Sequence, residues 1–214
     1  MAYDPQKHNR RSIRLKGHDY SSPGQYFLTL CVQNRPCLFG EIKNGEMILN
    51  TAGQMINEWW NKISGKFSNA QLDVYQIMPN HFHAIVGIIN PQKNVGVDPR
   101  VNPKKGNSRN KGGKPQDETK GGHVGPPQPD SPEPDFETQP ASIPAISQWF
   151  KTMTMNEYIR GVKENLFPPF DRKLWQRNYY DHIIRDEQSL QRIREYIINN
   201  PAQWEEDQNN PKNF

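Results

Sequence analysis

Apolar positions recur from residue 25 to residue 90, are almost absent from 91 to about 143, and resume at Ile143. In the first block, Gln25–Val32 is rich in aromatic and β-favouring side chains and reads as a strand after the turn signal Ser22-Pro23-Gly24. Residues 38–49 carry Asn44-Gly45 between Phe39 and Ile42 on one side and Met47, Ile48 and Leu49 on the other, the pattern of a short hairpin. The period then changes. Met55, Ile56, Trp59, Trp60 and Ile63 recur at helical spacing, with Thr51 as candidate cap, and predict an amphipathic helix whose tryptophans face a core. Leu72–Met78 and the very apolar His81–Ile89 are two further strands, and the tight Pro79-Asn80 link pairs them antiparallel.

In the second block, Ile146, Trp149, Phe150, Met153, Tyr158 and Ile159 follow helical spacing after Ser142 or Ser147. Leu174–Ile184 is aromatic and strand-like. Asp186 and Ser189 then offer caps for a last helix with Leu190, Ile193, Tyr196 and Ile197 on one face, which ends where Asn199-Asn200 meets Pro201. Strands and helices mix without a repeating strand–helix–strand pattern, which predicts an α+β fold with helices over an antiparallel sheet. The expected organisation is a first part of one domain at 1–90, an insertion at 91–143, a second part at 144–204 and a polar, frayed tail at 205–214.

Composition sharpens the view of the insertion. The whole chain of 214 residues is 33% hydrophobic, and its mean hydropathy of −0.97 is low for a globular protein. Much of that deficit lies in 91–143, which is dense in Pro, Gly, Lys, Asp, Asn and Gln. Such a segment cannot bury enough apolar surface to offset the entropy of ordering, and it reads as a flexible linker. Its first part is basic (Lys104, Lys105, Arg109, Lys111, Lys114) and its later part acidic (Asp130, Glu133, Asp135, Glu137). A polar, basic N-terminal arm precedes the first strand. The net charge of +4 suits a polyanionic partner without specifying one. Cys31 and Cys37 are too few for a disulfide framework and match no common zinc spacing. No stretch reaches membrane-spanning length and the N-terminus lacks an apolar signal core, so a cytoplasmic protein that avoids membranes is expected.

The candidate chemistry centres on His81 and His83. On a strand, alternate residues share a face, so both imidazoles project together while Phe82 points to the opposite layer. Two histidines so placed can hold one divalent ion, although most His-x-His pairs taken alone are surface or core histidines. Tyr196, on the last helix, is the candidate nucleophile: a phenolate can attack a phosphodiester and retain the 5′ phosphate. Spacing alone leaves it equally well as a packing residue. Asn200 lies four residues on, on the same helix face, and its amide oxygen could complete a metal shell. Magnesium or manganese accepts such ligands. Tyr158, Tyr179 and Tyr180 are rival tyrosines, the latter two more suited to packing or stacking. Arg172, Lys173, Arg177, His182 and Arg185 are candidate DNA contacts near the fourth strand.

Met78-Pro-Asn-His81-Phe-His83-Ala-Ile-Val, then Tyr179-Tyr-Asp-His182-Ile-Ile-Arg185-Asp, then Arg194-Glu-Tyr196-Ile-Ile-Asn-Asn200-Pro201, taken in that order, resemble the IS200-like (Y1, HUH) transposases, closest to the REP-associated tyrosine transposases. The resemblance covers roughly 12–90 and 143–204. It implies a ferredoxin-like (RRM-like) antiparallel sheet, a metal held by His81, His83 and Asn200, Tyr196 as nucleophile, and hairpin-bearing single-stranded DNA as substrate, acted on by a monomer or homodimer. The chain departs from the family pattern at 91–143, where the family runs directly to the next helix. Two other readings remain: a non-catalytic module that binds hairpin nucleic acid, and a metal-dependent phosphodiesterase that uses water. A carboxylate-triad transposase is disfavoured, because no acidic cluster falls on the predicted strands.

Overall fold

The computed structural model describes residues 15, 17–90 and 139–213. The N-terminal arm, His123 and the charged runs of the insertion lie outside them. Within the described residues the elements are β1 (Gly24–Cys31), β2 (Gly40–Lys43), β3 (Glu46–Leu49), α1 (Thr51–Asn61), α2 (Ile63–Lys66), β4 (Ala70–Ile77), β5 (His81–Ile88), α3 (Ile143–Lys163), β6 (Tyr180–Ile184) and α4 (Glu187–Asn199). Two 3-10 turns follow, Pro201–Glu206 and Pro211–Asn213.

β4, β5, β1 and β6 form one four-stranded sheet in that order. Every pairing is antiparallel. Among the four sheet strands the third and fourth in the chain flank the first, and the second lies outside the third, the arrangement expected of a ferredoxin-like fold. β2 and β3 form a separate hairpin through Asn44 and Gly45, whose φ values of 53° and 78° fit the left-handed turn that an Asn-Gly pair favours.

The sheet has two chemically different faces. Tyr26, Leu28, Leu30, Phe82, Ala84 and Val86 point to one, where they pack with Ile56 and Trp60 of α1 and Ile146 and Phe150 of α3. Phe82 is fully buried there, with its ring 4.6 Å from that of Trp60 and 5.4 Å from that of Phe150. Phe27, Ile85 and Ile184 point to the other face, beneath Leu190 and Ile197 of α4. Arg194 pins α4 to β4, its Nε 3.2 Å from both carboxylate oxygens of Asp73, beside the bulge between Leu72 and Tyr75.

Several expectations need correction. Asn50, not Thr51, caps α1: its side chain accepts from the Gly53 N–H at 2.9 Å, and Thr51 is already helical. Ser142 caps α3. The fourth strand begins at Tyr180 rather than Leu174. Trp175 makes only an isolated bridge to Val32, and its indole N–H donates to Thr154 Oγ1 at 2.8 Å, which ties the preceding loop to α3 instead of extending the sheet. The insertion read over 91–143 closes earlier, since Gln139 N–H bonds the Lys66 carbonyl and Ala141 is buried. The tail at 205–214 is not frayed. Asn209 and Asn210 are buried, and Asn80 Nδ2 donates to the Asn209 carbonyl at 2.8 Å. No helix among the described residues is long and apolar enough to cross a membrane.

Since Phe82 fills the aromatic core directly behind the two histidines, Phe82→Ala is expected to lower unfolding free energy by about 3–5 kcal/mol. Urea denaturation followed by tryptophan fluorescence measures it, and a loss below about 1 kcal/mol would contradict this account of the core.

Candidate functional site

β5 is buried at every position. Its alternation delivers His81 and His83 to the α4 face, where their exposures are 0% and 2%. Each ring is oriented through Nδ1. His81 Nδ1 lies 3.0 Å from Asn80 Oδ1, an atom that can only accept, so this nitrogen carries the proton and Nε2 keeps its lone pair. His83 Nδ1 lies 2.8 Å from Thr29 Oγ1, the residue opposite it on β1. A hydroxyl can accept there as well, leaving His83 Nε2 free in the same sense. The two Nε2 atoms stand 3.1 Å apart.

Burial, the first cause in both cases, pushes both imidazoles down to about 3; the neighbouring ring adds to the effect on His83. They are therefore neutral at pH 7 and offer lone pairs. The Asp207 carboxylate, with its side chain 5% exposed, approaches His81 Nε2 at 3.6 Å. With a neutral imidazole this contact is not an ion pair, despite its short distance. His81, His83 and Asp207 each offer a ligand atom within 4.8 Å of the others.

α4 brings two more groups. The Tyr196 hydroxyl lies 3.4 Å from His83 Nε2, and its ring meets His83 and Phe27 edge-on at 5.3 and 6.1 Å. The side chain remains 42% exposed, open to a substrate. Burial and the Asp207 charge raise its pKa, while a hydrogen bond from Asn200 opposes them. Asn200 is 2% exposed and interacts with both His81 and Tyr196, yet its Oδ1 is buried with no hydrogen-bond donor. An orphaned buried carbonyl is rare because it loses its solvation without return.

These residues fit a divalent cation. Two neutral imidazoles converge, a buried amide oxygen without a donor lies on the neighbouring helix end, and a carboxylate stands 3.6 Å from His81 Nε2. Two neighbouring ligands of an octahedral ion at about 2.1 Å stand roughly 3 Å apart, as the Nε2 atoms do. His81, His83, Asn200 and Tyr196, predicted from sequence, are thus brought together. Asp207 was missed: it sits in the acidic, aperiodic run Glu205-Glu206-Asp207, which carries no spacing signal. Thr29 was legible in principle as a same-face position of β1, and Asn80 was read only as a turn residue.

The other candidates lie elsewhere. Tyr158 is fully buried in the α1–α3 layer, its hydroxyl donating to the Pro168 carbonyl at 3.0 Å and its pKa pushed up to about 12 by burial. Tyr179 packs against that same core. Arg172, Lys173, Arg177, His182 and Arg185 are all exposed along 172–185, and His182 is not part of the His81–His83–Asp207 group. His182 and Arg185 border a separate cleft at β6.

No protein-family model matches the chain. A Haemophilus influenzae (strain Rd) protein, described only as uncharacterized, is 37% identical over 211 residues, covering 96% of this chain and 96% of its own length. Among solved structures, the fold is similar to that of a REP-associated tyrosine transposase bound to a REP hairpin, at 15% identity over 89% of this chain and 73% of that one, with a TM-score of 0.47. It is also similar to a transposase candidate from Deinococcus radiodurans R1, at 16% identity over 87% and 97%, with a TM-score of 0.41.

Two measurements test this geometry. In EDTA, the buried imidazoles bind protons only on unfolding, so stability is fully present above pH 6.5 and is lost as pH falls from 6.5 toward 3. The limit is about 1.4 kcal/mol per pH unit for each ring. Urea midpoints between pH 7 and 5 should fall, and His81→Gln should flatten the slope; an unchanged slope contradicts neutral burial. By calorimetric titration with Mn²⁺, Asp207→Ala should weaken binding about tenfold or more, and unaltered affinity removes Asp207 from the ligand set.

Proposed function

The chain belongs to one family with the Haemophilus influenzae protein, and from the site's geometry we propose that it is a metal-dependent tyrosine endonuclease and strand transferase of the IS200-like transposase kind, acting on single-stranded DNA that carries a hairpin. The observation that carries this reading is the convergence of the Tyr196 hydroxyl, 3.4 Å from His83 Nε2, on a paired-imidazole site.

Tyr196 supplies the nucleophile. Its phenolic oxygen bonds to the scissile phosphorus as the bond from phosphorus to the 3′ oxygen breaks. The phenol proton passes to solvent, to which the side chain is open, and the departing oxygen takes one up to become a 3′ hydroxyl. The 5′ phosphate stays on Tyr196 as a phosphodiester, so a 3′ hydroxyl can later reverse the step and join strands. His81, His83, Asp207 and Asn200 would hold Mg²⁺ or Mn²⁺, which supplies Lewis-acid polarisation of the phosphate. Asn80 fixes the His81 imidazole in the ligating tautomer, and the Thr29 hydroxyl orients the His83 ring through Nδ1. Phe27 and His83 hold the Tyr196 ring edge-on, which limits its rotation.

A water-using phosphodiesterase would need the same ligands but no tyrosine beside them. The outward position of Tyr196, 42% exposed at the rim of a buried site, favours the covalent route.

The test is a labelled library of single-stranded hairpins incubated with protein and Mn²⁺ or Mg²⁺, then resolved on a denaturing protein gel. Label should migrate with the protein, disappear in Tyr196→Phe, and fall at least a hundredfold in His81→Ala. Cleavage that survives Tyr196→Phe without a covalent species would establish the water-using reaction instead. Tight binding with no cleavage under either metal would leave a binding protein.

A further inference from the structure

The α4 face of the sheet continues beyond the metal-ligand residues. Thr29 is paired with His83 on one side and with Tyr180 on the other, so the three form one rung across β5, β1 and β6. Residues paired in this way share a face. Tyr180 therefore projects on the same face as His83, two strands away, which is about 10 Å at the usual strand spacing. Phe27, 8% exposed, links the two ends: its ring is 6.1 Å from that of Tyr196 and 6.2 Å from that of Tyr180, both edge-to-face. The result is a short aromatic row, Tyr196–Phe27–Tyr180, with an exposed ring at each end.

Tyr180 is 47% exposed, unusual for so large a ring on a strand. The planes of its ring and that of Phe27 stand at 68°, and close to half of the residue is open to solvent. Beside it runs an open cleft of about 420 Å³, bordered by Tyr180, His182, Arg185, Ser189, Leu15 and Tyr20. Among the described residues β6 is the outermost strand of the sheet, and the cleft lies along it. Asp181 and Asp186 also border it. The Asp186 carboxylate is occupied by Ser189, through N–H and Oγ at 2.7 and 3.0 Å. Acidic and basic groups thus mix along the cleft, and charge alone does not select its ligand. The exposed aromatic ring does.

We infer that Tyr180 is a base-stacking residue: an unpaired DNA nucleotide next to the scissile phosphate seats its base on the Tyr180 ring at the mouth of the β6 cleft. This rests on the strand-cleaving reading above and extends it to the substrate's path across the sheet. An exposed aromatic on a sheet face accepts any base through its π surface, so the contact is tolerant of sequence. Held there, the flanking nucleotide limits the strand's sliding past Tyr196 and so contributes to choosing which phosphate is attacked.

The experiment measures binding without cleavage. The full chain carrying Tyr196→Phe, in EDTA, is titrated into fluorescein-labelled dT15 and followed by anisotropy. Adding Tyr180→Ala should weaken binding about tenfold or more, Tyr180→Leu should do the same, and Tyr180→Phe should stay within about twofold. A thermal melt of each variant separates lost stacking from lost folding. Binding unchanged by Tyr180→Ala, an equal loss in Tyr180→Phe, or no binding of dT15 by the parent chain overturns the inference. Because neither metal nor the Tyr196 hydroxyl is present, a stacking effect can hold even where the covalent adduct fails to form, and the reverse.

Discussion

Everything at the site depends on the pleat of β5. A period of two sends Phe82 into the aromatic core between Trp60 and Phe150 and, for that reason, sends His81 and His83 together to the other face. A slip of one residue would exchange the two sets and bury two polar rings among tryptophan and phenylalanine, so the hydrophobic core itself fixes the register of the ligands. The same burial keeps the imidazoles neutral. What would be an expensive pair of buried polar groups is made tolerable by hydrogen-bond partners at Asn80 and Thr29, one from the preceding turn and one from the neighbouring strand.

The second requirement is that α4 arrive at the right place. It starts three residues after β6 and, with 13 residues, spans roughly 20 Å. That length carries it back across the sheet, so its last turns reach the histidines. Leu190 and Ile197 set its rotation by packing on Phe27, Ile85 and Ile184, and Arg194 fixes its lateral position on Asp73. With the rotation set, Tyr196 falls at the edge of the buried stripe, half exposed, while Asn200 one turn later is buried. A helix position at the border of the apolar face lets one side chain touch both the protein interior and solvent.

Much of this was legible before any coordinates. The alternation of His81, Phe82 and His83 and the turn of helix between Tyr196 and Asn200 are local periodicities, and local periodicity survives folding. The hairpin at Asn44-Gly45 and the Asp186 cap were read for the same reason. What was not legible depends on contacts distant in sequence. Trp175 sits in β-favouring sequence, yet its indole bonds Thr154 on α3, and that tertiary bond, not strand propensity, decides the local path. Asp207 and Asn209 sit in a run of polar residues that composition marks as loose. They are ordered because Asn80, 129 positions away from Asn209 in the chain, donates to the Asn209 carbonyl.

That ordered tail changes the electrostatics of the site. Two neutral imidazoles and an amide leave the full charge of a divalent ion uncompensated, and such a site would hold the ion weakly. Asp207 brings one negative charge, which would offset part of that charge and strengthen the hold on such an ion. Asn80 then has two partners that matter at once: its Oδ1 sets the proton on His81, and its Nδ2 holds the backbone beside Asp207. One buried amide therefore couples the orientation of a neutral ligand to the placement of the charged one. Sequence order hides that coupling, since His81 and Asp207 lie 126 positions apart in the chain.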